Sequence, residues 1–132
     1  MKDSVQGTPI DSVYPSKEVT VWASDPDTTY GEGGAHSYTI QNCLGFKDGE
    51  TIYAPSWQSI QFVKTELDGS TTPGLQSEQL IIALMDRHEK MNKRFPSEHH
   101  IEQMSHLQSF LDLCRMRVDD RMKRNVMGTL QK

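Results

Sequence analysis

Only 35% of the 132 residues are hydrophobic, below the usual share of about 45–50%, a figure that also counts glycine. That length suits one domain or two very small ones, and the core of a lone monomer would be thin. No run of 18 apolar residues occurs, so no membrane-spanning helix is expected. The first nine residues, Met1 to Pro9, lack the apolar stretch of a signal peptide, which makes the cytoplasm the expected compartment. Cysteine is scarce too. Cys43 and Cys114 stand far apart without Cys-x-x-Cys spacing, and read as reduced packing thiols rather than a disulfide or metal pair. Positive charge is in deficit: the net charge is −4, which argues against a DNA or RNA polymer as partner.

The deficit is uneven. Residues 1–76 carry 4 Lys/Arg against 10 Asp/Glu, and residues 77–132 carry 10 against 8. Arg115, Arg117, Arg121, Lys123 and Arg124 cluster near the end of the chain, so an anionic ligand is expected there.

The pattern is that of an α+β protein. Residues 1–17 are polar and proline-containing and read as a loose arm; residues 18–74 read as a small antiparallel β domain. Glu18–Ala23, His36–Leu44, Thr51–Ala54 and Gln58–Leu67 are the strand candidates. Ser24–Gly34, Asp48-Gly49 and Asp68–Gly74 are turn-rich. From residue 75 to 132 a long antiparallel helical hairpin is expected. Leu80, Ile81, Leu84, Met85, His88 and Met91 recur at helical spacing, with Ser77-Glu78 as cap and acidic first turn. Phe95-Pro96-Ser97-Glu98 breaks and restarts the chain. Ile101, Met104, Leu107, Leu111, Cys114, Val118 and Met122 form the second stripe. The second helix overhangs the first, and its uncovered stripe asks for another subunit.

Catalytic signals are sparse. Gly31-Glu-Gly-Gly34 has no Gly-Lys-Ser/Thr and opens no helix, so it is a loop rather than a phosphate cradle. His99, Glu102 and His106 have a spacing that suits a metal, but no fourth ligand is evident and no metal or cofactor is expected. The segment Asp119 to Thr129 is richer: arginines close a helix, Asn125 and Gly128 turn the chain, and Arg and Thr side chains suit phosphate oxygens. On physics alone it is a basic turn that complements the helix dipole.

A resemblance alters that balance. Ser77-Glu78 through Asp86-Arg87, the corner Phe95-Pro96-Ser97 and the close Arg124-Asn-Val-Met-Gly-Thr129 resemble the hairpin domain of phage anti-CBASS and Thoeris anti-defence sponges. The strand beginning His36-x-Tyr38 and the strand Ser59–Val63 look more like the Thoeris type, which places a small β domain before the hairpin. The resemblance covers roughly residues 30–130. Asn125 and Met127 stand where that family usually has Gly and Glu.

The resemblance implies a homo-oligomer, a hexamer, in the cytoplasm of an infected bacterium. It would sequester nucleotide second messengers without cleaving them: cyclic ADP-ribose isomers in one pocket type and cyclic oligonucleotides in another. Carried over, Arg124 and Thr129 contact phosphate or base, with Arg121 and Lys123 beside them. Phe95 stacks on a base, and Arg87 or Asn92 adds a neighbouring contact. A sponge must bind near nanomolar, about −12 kcal/mol. A few charge-assisted bonds of about 1.5–3 kcal/mol each do not reach that on an open surface, so a pocket closed by several subunits is implied. Two other classes compete. One is a phage structural or adaptor protein whose hairpin only oligomerises. The other is a nucleotide-degrading enzyme using His88, His99 or His106.

Overall fold

The computed structural model describes residues 7–13, 17–25 and 34–124. Strands come first and two helices last: β1 Thr8–Ser12, β2 Val19–Ala23, β3 Ser37–Ile40, β4 Cys43–Lys47, β5 Glu50–Tyr53, β6 Gln58–Gln61, β7 Lys64–Thr65 and β8 Thr71–Thr72, then α1 Ser77–Arg94 and α2 Glu98–Lys123. The protein is α+β, an antiparallel sheet followed by a hairpin-like helix pair. It divides into two units, residues 1–64 and 65–132, so the boundary falls earlier than the expected 74/75. Among the described residues no helix is long and apolar enough to cross a membrane.

The first unit holds a four-stranded antiparallel sheet in the order β1-β2-β3-β6. Trp22, Ala23, Thr20 and Thr39 are buried within it, and Trp22 meets Tyr53 edge-on at 5.6 Å. The loose arm expected over residues 1–17 needs correcting, because residues 8–12 form β1 on the edge of this sheet. Four of its five side chains are exposed, so no alternation marks it. Its backbone pairing with β2 holds it, and an edge strand tolerates Pro9. Residues 1–6 and 14–16 lie outside the described residues.

The strand expected over His36–Leu44 breaks in two at Gln41. Its backbone N–H donates to Thr20 O at 3.0 Å and its side-chain Nε2 to Ala54 O at 2.7 Å. The first bond carries the β2–β3 register one pair further, Thr20 opposite Gln41, and the second ties Gln41 to Ala54 just after β5, where the separate β4–β5 hairpin begins. Asp48 and Gly49 turn that hairpin with φ of 54° and 80°, two positive values as a two-residue type I′ turn requires. Tyr53 Oη donates to Val19 O at 3.0 Å and Thr51 Oγ1 to Glu18 Oε2 at 3.0 Å, tying the hairpin back to β2. The run Gln58–Leu67 is also divided: β6 ends at Gln61, Phe62 N–H still donates to His36 O at 2.6 Å in the β3–β6 register, and its ring meets Tyr38 edge-on.

In the second unit, β7 and β8 form a two-stranded ladder around the Asp68-Gly69 turn, and then α1 and α2 pack against each other. The N-cap of α1 is Gln76, not Ser77, and Gln76 N–H donates to the Gln79 side chain at 2.8 Å. Ser97 caps α2 as expected, its hydroxyl accepting His99 N–H at 3.1 Å. Leu111 is the one buried residue of the described helices, and Met104, Leu107, Cys114 and Val118 are half-buried around it. Ile101 is 56% exposed and drops out of the packed stripe; His100, half-buried, takes its place. The helical spacing explains the swap, since 100, 104, 107 and 111 share one face.

Candidate functional site

Burial raises the Cys114 thiol above its ordinary pKa, and the nearby Glu78 carboxylate adds to that while Arg117 opposes it. The first turn of α1 therefore stands level with Cys114 on α2. Beyond that level α2 runs on to Lys123, about 13 Å at the usual rise per residue. The overhang carries Arg115, Arg117, Arg121, Lys123 and Arg124. Arg121 is half-buried, and Lys123 and Arg124 are exposed. Arg124 Nη2 lies 3.3 Å from Asp120 Oδ2, both side chains about half-exposed or more. A surface pair of this kind contributes little to stability.

The other carried-over residues sit at the opposite end of α2. Phe95 is the C-cap of α1 and is 68% exposed, a bare ring at the corner. Asn92 is half-buried and its Oδ1 accepts Ser97 N–H at 2.9 Å, which commits that oxygen to the corner itself. Arg87 is exposed two turns earlier on α1. The 26 residues of α2 separate Phe95 from Arg124 by about 39 Å within one chain. One nucleotide does not span that distance. The candidate residues thus form two groups, Arg87, Asn92 and Phe95 at the corner and Arg121, Lys123 and Arg124 at the basic end. Thr129, with Asn125 and Gly128, lies outside the described residues.

Between the helices runs an apolar groove of about 340 Å³ lined by Ile81, Leu84, His88, Gln103, His106, Leu107 and Phe110. It was not singled out by the sequence pattern. His88 and His106 carry its polar atoms together with Gln103. Among the described residues no group of three or more His, Cys, Asp and Glu side chains is placed to hold a metal ion, so His99, Glu102 and His106 do not converge as the weighed metal spacing would require. The nearest approach of imidazoles is elsewhere: His88 Nδ1 and His100 Nδ1 are 3.1 Å apart. His100 was missed because it is flanked by His99 and Ile101, and its place on the 100-104-107-111 stripe is the signal that finds it.

No protein-family model matches the chain, and no curated protein matches it.

Proposed function

We propose that this protein is a non-catalytic sponge for nucleotide second messengers, cyclic ADP-ribose isomers and cyclic oligonucleotides, acting against Thoeris and CBASS signalling during phage infection. The observation that carries the reading is the basic overhang of α2, where Arg121, Lys123 and Arg124 cluster and Arg124 pairs with the Asp120 carboxylate at the surface, at 3.3 Å. Anionic phosphates replace that carboxylate, and bidentate Arg geometry orients them. The distance between this end and the Phe95 corner supports two separate pockets, one for each messenger class.

An open helix end does not reach sponge affinity alone, so each pocket is closed by a neighbouring subunit in a homo-oligomer, a hexamer. Exposed Leu113, Met116 and Met122 on α2 supply apolar surface for that assembly, at 64%, 63% and 62% exposure. The same three residues favour the second reading, a hairpin that only oligomerises as a structural adaptor.

One experiment separates the classes. The purified protein is incubated with cyclic ADP-ribose isomers and cyclic oligonucleotides, filtered, then heat-denatured and the released ligand analysed. Intact ligand recovered on heating supports the sponge. Altered ligand supports a degrading enzyme using His88, His99 or His106, and no depletion leaves the adaptor.

A further inference from the structure

We propose that His88 and His100 form a two-histidine clip that binds a divalent transition metal between α1 and α2, a site separate from the messenger pockets. The two Nδ1 atoms approach to 3.1 Å, with ring centroids 5.3 Å apart and planes tilted by 48°. The rings are not stacked; their nitrogens converge. Two lone pairs this close repel unless something positive lies between them. That is either one proton, shared as an N–H···N bond, or a metal ion.

A separation of 3.1 Å is that of an N–H···N bond, and it also lies close to the bite of a metal ion. Two imidazole nitrogens at about 2.0–2.1 Å from a tetrahedral zinc ion stand about 3.3–3.4 Å apart, within a few tenths of an ångström of the separation here. Both residues are half-buried, so a small pivot of either ring admits the ion. His88 also lines the interhelical groove, through which water reaches the remaining coordination positions. Four of the five histidines fall between residues 88 and 106, but only this pair converges. The ligands come from either side of the Phe95-Pro96 corner, so the ion staples the hairpin where the chain reverses. Borderline divalent ions that favour imidazole, zinc and copper, are the matching class.

The test uses the full chain stripped with a chelator and titrated calorimetrically with Zn²⁺. The expected result is one Zn²⁺ per chain and a rise in Tm. Loss of an outer-shell partner alone costs on the order of 10–100-fold in affinity, so His88→Gln and His100→Gln each weaken binding by at least that much, while His99→Gln leaves it unchanged. Nitrogen NMR of the wild-type imidazoles needs no variant: zinc shifts both Nδ1 resonances together. If Zn²⁺ leaves those resonances in place, or binds with equal affinity in His88→Gln, the pair is an N–H···N hydrogen bond only and the proposal is overturned.

Discussion

The side-chain oxygen of Asn92 accepts the backbone N–H of Ser97 at 2.9 Å, bridging the last turn of α1 and the cap of α2. This N–H sits where Pro96 ends the first helix ladder, and no helical carbonyl is positioned for it. Asn92→Ala leaves it to solvent and should cost about 0.5–1.5 kcal/mol of stability. Urea denaturation should show the midpoint moving down at unchanged slope. Cyclic ADP-ribose binding by the folded fraction should stay within twofold, which would remove Asn92 from the contact residues.

Gly7 allows β1 to enter the sheet. Its φ is +78°, and a Cβ there would collide with Ala23 O and crowd Ser24 Cα at 2.8 Å. Gly7→Ala is therefore strained in conformation and in space, at about 1–3 kcal/mol. Thermal unfolding of the variant should show a lower Tm. An unchanged Tm would mean that β1 contributes nothing to the stability of the first unit.

How legible these features are in the sequence depends on what creates them. The helices and the corner are carried by local chemistry: the apolar spacing of Leu80 to Met91, the missing donor of Pro96 and the Ser97 hydroxyl. The type I′ turn at Asp48-Gly49 is equally local. β1 is not, because its exposed side chains carry no period and its partner lies beyond residue 18. The ends of β3 and β6 are set by where their partners stop: Gln41 and Phe62 make the last in-register bonds, to Thr20 and His36, and Gln41 also bonds Ala54, all distant in the chain. A continuous run of strand-forming residues cannot announce them. At the candidate site, the basic end is legible from charge alone. Its separation from Phe95 is legible too, because the apolar stripe from Ile101 to Met122 predicts one long helix between them, and α2 is that helix.

Tyr53 gives the first unit a dependence on alkaline pH. Burial raises its phenol above the ordinary value of 10.0, with Glu18 and Cys43 adding to the shift, while its Oη donates to Val19 O. A folded pKa above the unfolded one contributes stability that is complete below pH 10 and is lost as pH rises through the raised value. Wild-type stability should therefore fall more steeply above pH 10 than that of Tyr53→Phe. Denaturation midpoints measured between pH 8 and 11 check this, and parallel curves for the two proteins would sink it.

The distance between Phe95 and Arg124 makes the two proposed pockets separable by mutation. Sites with no shared partner and about 39 Å between them behave additively. Arg124→Ala with Thr129→Ala should abolish cyclic oligonucleotide binding and leave cyclic ADP-ribose binding intact. Phe95→Ala should do the reverse, removing a base-stacking face of about 1–3 kcal/mol, or roughly 5–150-fold in affinity. Both variants need the same oligomer mass as wild type by light scattering, since Phe95 also closes α1. Each variant is then titrated with both ligand classes. Equal loss of both ligands in either variant, with the oligomer intact, would refute the two-pocket reading and leave a single composite site shared between subunits.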